Sequence, residues 1–184
     1  MIGLDRIKRR IIRFKLEETG TAIVEMVAYR AELISSKAAL TIADMYSRET
    51  GYIDPTYLNG TRSLLKYLTL AENDPDYRVT VFFWDDADSE YKVVWSRNRG
   101  GRQNFNHARL NTVAGRLPTL SDGERAILVE TWTSYQPKYG DGIGIMMGTG
   151  LEPLEFNTFV AISPRFAPTV CWNRYPDDPT KEKC

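Results

Sequence analysis

Arg78-Val-Thr-Val-Phe-Phe-Trp84 and Tyr91-Lys-Val-Val-Trp-Ser-Arg97, joined by the polar stretch Asp85–Glu90, decide the fold. Both runs are rich in β-branched and aromatic residues, which suit a pleated and half-buried surface, and the short polar link between them reads as a hairpin. Asn73-Asp74-Pro75-Asp76 forms a turn in front of the first run, and Arg99-Gly100-Gly101-Arg102 breaks the second. Two later runs have the same character. Ala126-Ile-Leu-Val-Glu-Thr-Trp-Thr-Ser-Tyr135 follows an Asp122-Gly123 turn and is stopped by Pro137; Leu154–Ser163 is stopped by Pro164. Residues 165–173 add a short edge segment. The glycine-rich stretch 139–152 reads as a flexible loop between the third and fourth strands. About four strands in antiparallel order are expected.

Working outward toward the N-terminus, the composition turns helical. Residues 21–50 contain no proline, and no glycine interrupts them before Gly51. Ile23, Met26, Val27, Leu33, Ile34, Ala38, Ile42 and Met45 fall mostly on one helical face, so one long helix is expected, with Gly51 as its C-cap. Asp54-Pro55 opens a second helix as N-cap and first-turn proline. Leu58, Leu64, Leu65, Leu68 and Leu70 form its apolar face, and Gly60 is a weak point. Residues 106–117 read as a short helix with Leu110, Val113 and Leu117 inward, ended by Pro118. The order of elements predicts an α+β fold: a long N-terminal helix, with further helices packed on an antiparallel sheet of about four strands. The domain reading is a basic leader at 1–20, an N-terminal helix at 21–50, a head at 51–173 and a disordered tail at 174–184.

Formal net charge is zero, so no overall electrostatic pull toward nucleic acid is indicated. The charge is uneven, however. Residues 1–20 hold Arg6, Lys8, Arg9, Arg10, Arg13 and Lys15 against Asp5, Glu17 and Glu18, which leaves the remainder net acidic. Leu4, Ile7, Ile11, Phe14 and Leu16 recur near helical spacing within that basic stretch. Two readings stand for it: a solvated amphipathic helix, or a leader held at an anionic membrane surface. No run of eighteen or more apolar residues is present, and no apolar stretch ends in a secretory cleavage site. Cys171 and Cys184 can form one disulfide or remain free thiols; the terminal position of Cys184 weighs toward the free form.

Several groupings invite chemistry. Gly142–Gly150 suggests a nucleotide loop, but it lacks the Gly-Lys-Ser/Thr ending and joins no strand to a helix, so a mobile loop is favoured. Asp85, Asp86, Asp88 and Glu90 offer hard oxygens for calcium, yet the EF-hand glycine and terminal glutamate are missing, and a solvated turn is favoured. Arg97, Arg99 and Arg102, with Trp95 and Phe105 nearby, resemble a small single-strand platform; a solvated hairpin end is the simpler account. His107 is the only histidine, and with Asp122, Glu130 or the 85–90 carboxylates it would give an acid–base pair without a recognisable nucleophile. Trp84, Trp95, Trp132 and Trp172 read as sheet and core packing. The chain is therefore read as non-catalytic, with no cofactor, no metal, no nucleic acid and no small-molecule substrate.

One segment remains. Gly20-Thr21-Ala22-Ile23-Val24-Glu25 follows the basic leader, and counting from Thr21 a glutamate stands fifth. This junction resembles the site cut by type IV prepilin peptidases. Further stretches resemble the TadE/TadG-like minor pilins of tight-adherence (Tad/Flp) pilus systems: Glu18–Met26, Lys37–Thr50, Val93–Arg97, Leu117-Pro118, Asp122–Glu124, Ile127–Trp132, Tyr135–Pro137, Pro164–Pro168 and Trp172-Asn173. The resemblance covers nearly all of 6–173. It implies a pilin-like fold, cleavage at Gly20–Thr21 by a prepilin peptidase, and Glu25 as an assembly residue that pairs with the free α-amino group of a neighbouring subunit. It also implies partnership with other pilins and the Tad secretion machinery, and an inner-membrane location with the head in the periplasm or on the pilus. The chain departs from the family in one respect. Arg30 and Glu32 arrive where about twenty apolar residues normally follow the junction, so the membrane span is missing. A soluble cytoplasmic binding or scaffold protein with a basic amphipathic N-terminal helix is the alternative.

Overall fold

In the computed structural model we describe residues 2–135, 154–175, 178, 180 and 182–184, and of residues 2–7, 9, 16, 17 and 24 the backbone alone. The elements are helix α1 (Ile2–Ser47), strand β1 (Tyr52–Ile53), helix α2 (Pro55–Thr69), strands β2 (Asp76–Asp85) and β3 (Glu90–Arg99), the short helix α3 (His107–Asn111) with a 3-10 turn at Ala114–Arg116, and strands β4 (Arg125–Tyr135), β5 (Leu154–Ile162), β6 (Cys171–Asn173) and β7 (Glu182–Lys183). Strands β2 to β5 form one antiparallel sheet in the order β3-β2-β4-β5. The α+β class and the four-stranded antiparallel sheet are as the sequence predicts. A smaller sheet, β1-β6-β7, was not foreseen; β6 pairs parallel to β1 and antiparallel to β7.

Alternation along the strands divides the sheet into two faces. On one face Tyr77, Val79, Val81, Trp95, Ile127 and Val129 are buried against Ala38, Ile42 and Tyr46 of α1 and Leu58 and Leu65 of α2. On the other, Phe82, Ala126 and Leu128 meet Leu110 and Leu120, with Val113 and Leu117 half-buried at the margin. The sheet is thus sandwiched between two long helices and the short 105–120 segment. A bulge between Val81 and Phe82 leaves Val94 without a cross-strand partner and keeps Val93 and Trp95 on the correct faces.

Local chemistry explains most boundaries. The Asp54 carboxylate accepts from the Tyr57 backbone N–H at 2.6 Å, capping α2 as expected. At the other end Leu70, with φ 52°, occupies the left-handed cap position and is exposed. It therefore leaves the apolar face assigned to it, because the chain must turn there and no glycine is available. The first helix ends at Ser47 rather than running to a Gly51 cap; Gly51 keeps a negative φ four residues beyond. Arg165 N–H donates to the Ser47 carbonyl at 2.7 Å, so a tertiary contact takes over the capping role. Residues 106–117 divide into α3 and the 3-10 turn, with the Asn106 side chain capping the first. Gly100, at φ 105°, sits where a Cβ would lie 1.7 Å from an Asp76 carboxylate oxygen, so only glycine fits the strand-ending turn.

The C-terminal residues settle one alternative and correct one expectation. Of the two states open to them, Cys171 and Cys184 take the disulfide, against the weight given to the terminal position of Cys184. Residues 182–183, expected to be disordered, form β7. The Arg125 guanidinium also donates to the Cys184 carbonyl at 2.6 Å. The glycine-rich stretch 139–152 and the Pro137 break lie outside the described residues.

Candidate functional site

Helix α1 contains two chemically different parts. From Ser35 onward it is built into the head: Ser35, Ala38, Ala39, Ile42, Ala43 and Tyr46 are buried at helical spacing. Small residues at 38, 39 and 43 let the helix lie close on β4 and β5. Ser35 Oγ and Thr133 Oγ1 share a buried hydrogen bond of 2.9 Å that fixes the helix along its axis on β4. Tyr46 OH lies 3.2 Å from Thr61 Oγ1, and Tyr77 OH donates to the Leu58 carbonyl at 2.6 Å. Burial raises the Tyr46 and Tyr77 phenols, Tyr77 to about 12, so both hydroxyls stay neutral donors between α1, α2 and β2.

Before Ser35 the described side chains are exposed or half-buried. Those expected to share one buried face therefore separate. Ala38 and Ile42 point into the head, whereas Ile23, Met26 and Leu33 face away from it. Gly20, Thr21 and Glu25 lie within this projecting part. The helix passes through Gly20 without a break, and a Cβ there would meet nothing within 4 Å. Gly20, Thr21 and Glu25 are all exposed, so the three residues are brought together on one accessible stretch, separate from the head. Around them Ile11, Ile12, Phe14 and Tyr29 are also more than half exposed. Among the described residues, no helix is long and apolar enough to cross a membrane.

The other groupings are occupied by structural bonds. His107 Nδ1 accepts from the Val93 backbone N–H at 2.8 Å, and Asn111 bonds both backbone groups of Tyr91. Together they cover the outer edge of β3. Asp122 accepts from the Asp86 N–H, and Glu130 is paired with Arg78 at 2.6 Å, so neither acts on His107. At the hairpin tip Asp85 accepts from Ala87, Asp86 from the Trp84 indole, and Asp88 and Glu90 both hold the Lys92 ammonium. Four carboxylates spent in this way leave a turn, not a cation cage. Arg99 bonds the Asn59 side chain and the Pro55 carbonyl, Arg102 pairs with Asp76, and Arg97 stacks on Trp172. These arginines therefore point to three different neighbours instead of one strand-binding surface. Trp95 and Trp172 are buried together, and the Trp95 indole donates to the Val170 carbonyl at 2.7 Å. Among the described residues, one trio has metal-ligand geometry (Cys171, Glu182 and Cys184), and its two sulfurs are already joined.

Sequence reading missed one arrangement on the second face of the sheet. The Arg78 guanidinium lies 3.5 Å from the centroid of the Phe105 ring and 5.5 Å from that of Trp132, and its ion pair with Glu130 is almost wholly shielded from water. Burial pushes the Glu130 carboxyl up, opposed by the attraction of Arg78; it also lowers Arg78. Only the cross-strand register, which sets Arg78 opposite Glu130, could have signalled the pair.

The chain matches no family model, no curated protein and no solved structure.

Proposed function

We propose that the chain is a non-catalytic minor pilin or pseudopilin of a tight-adherence pilus, assembled through the projecting part of α1. The observation that carries this reading is the placement of Gly20, Thr21 and Glu25 on an exposed helical arm that continues into an α+β head. A processing enzyme needs the junction accessible, and a subunit that packs through its N-terminal helix needs that helix outside its own core. In this reading Gly20–Thr21 is the bond cut by the prepilin peptidase. Glu25 then pairs with the α-amino group of a neighbouring subunit. The disulfide between Cys171 and Cys184 supports a head in an oxidising compartment such as the periplasm. The structural use of His107 and the acidic hairpin supports a protein without catalysis. Co-expression with a prepilin peptidase followed by intact-mass measurement tests the reading: loss of residues 1–20 is expected, and a chain that keeps them removes the assignment.

A second reading is favoured by one observation. Ile11 and Phe14 are exposed beside Lys8, Arg10, Arg13 and Lys15, which suits a basic amphipathic helix on a membrane surface or a partner protein. Under it the chain is a soluble binding or scaffold protein. Fractionation separates the two, since recovery with the pilus or periplasm supports the first and recovery in the cytosol the second.

A further inference from the structure

Along α1, Ile12, Ile23, Met26, Leu33 and Leu40 share one stripe. With Leu16 and the polar residues Thr19, Arg30 and Lys37 filling the gaps, its positions recur at alternating intervals of four and three residues from 12 to 40. That is a strict seven-residue repeat through four heptads. On a straight helix such a repeat drifts by about 20° per heptad, so it stays on one seam only when two helices wind around each other. The seam is separate from the face that packs on the head. Ile12 is 59% exposed, Ile23 56%, Met26 69%, Leu33 41% and Leu40 57%, whereas Ala38 and Ala39 beside Leu40, and Ile42 just after it, are buried. The projecting residues 8–33 extend about 39 Å, and helices in proteins draw most of their stability from packing an apolar face against a partner.

We infer that the uncleaved chain dimerises through this seam as an antiparallel coiled coil with a second copy of itself. The period requires a helical partner, and the polar positions select its direction. In a parallel, in-register pair Arg30 would face Arg30 and Lys37 would face Lys37 across the seam, where like charges repel. An antiparallel pair centred between residues 24 and 25 sets Ile23 against Met26 twice at its middle, and Leu33 against position 16. Arg30 then meets Thr19, with the exposed Glu18 beside it, and Lys37 meets Ile12, over which its aliphatic stem can lie. The same surface therefore complements itself about a two-fold axis, as a homodimer interface must. The inference rests on the surface of α1 and holds whether or not the chain is a pilin.

The test uses the full chain. Sedimentation equilibrium from about 1 to about 100 µM is expected to give a monomer–dimer equilibrium. The double change Ile23→Glu and Met26→Glu is expected to weaken it by more than about 100-fold. Both residues lie outside the head, so the tryptophan-monitored melt should be unchanged, which shows that the variant is folded. A photo-crosslinker in place of Ile12 is expected to form an adduct with the segment around Lys37 of the second copy. A monomer at about 100 µM overturns the inference, as does a dimer that survives the double change, or an adduct at residue 12 of the second copy. A monomer that instead sediments with vesicles of mixed neutral and anionic phospholipid also overturns it, and makes lipid the occupant of the arm.

Discussion

At the scale of single residues, the sheet's second face depends on Arg78 and Glu130. Each gives up water to reach the other, and for both groups the cost of burial outweighs the attraction, since the carboxyl is raised and the guanidinium lowered. Removing one partner strands the other. Glu130→Ala should therefore destabilise the head by about 3–5 kcal/mol in urea titrations, while Arg78→Met with Glu130→Leu should stay near the parent or above it. The pH dependence has a definite sign. Glu130 titrates higher in the folded chain than in the unfolded one, so folding retains a proton in that window. Its contribution to stability is full below the ordinary glutamate value of about 4.3 and is lost as pH rises through the folded value. Glu130→Gln should remove this part of the slope, measured as melting temperature against pH. Leu70 offers a simpler test. Its left-handed backbone burdens a largely exposed side chain, so Leu70→Gly should raise stability by about 0.5–1 kcal/mol. Neither feature could be read from composition. Arg78 and Glu130 are separated by 52 positions in sequence, and Leu70 continued a leucine pattern that gave no sign of the turn.

At the scale of elements, legibility followed how local the cause was. The Asp54 cap, the proline after it and the strand hairpin are each set by neighbours within a few positions, and they were foreseen. The end of α1 was not, because its final carbonyl, that of Ser47, is bonded by the Arg165 N–H far along the chain, and Asp44 is ion-paired with both Arg48 and Arg165. The small sheet was missed for the same reason. A two-residue strand such as β1 carries no periodicity and exists only because β6 lies beside it. The disulfide then holds β6 to the final residue across a separation of 13 positions. Replacing both cysteines by serine should lower stability by about 3 kcal/mol through the loop-closure entropy returned to the unfolded chain, with the reductant-treated parent falling to the same value. The candidate site shows the opposite pattern. Gly20, Thr21 and Glu25 were recognisable as a string, but that they lie on an exposed arm, on an unbroken helix, depends on where the head begins to bury α1.

At the scale of the whole molecule, the arm and the head answer to different forces. The head is held by two apolar clusters on either side of one sheet, and all four tryptophans belong to it. Among the described residues, the arm before Ser35 adds helix without adding to either cluster. Urea should therefore remove helical ellipticity in two steps, the first ahead of any change in tryptophan fluorescence. A single coincident transition would mean that the arm is coupled to the head after all. The path of the chain through the head has a kinetic consequence too. Tyr52 and Ile53 pair with Cys171 and Trp172, and the Trp95 indole reaches the Val170 carbonyl, so segments from both ends of the head complete each other. Contacts so distant in sequence form late, because a long loop must close before they are rewarded. A nascent chain leaving the ribosome can raise α2 and the hairpin early. It must nevertheless wait for residues 170–184 before the head closes, and a chain lacking those residues would keep its four-stranded sheet but lack the clasp.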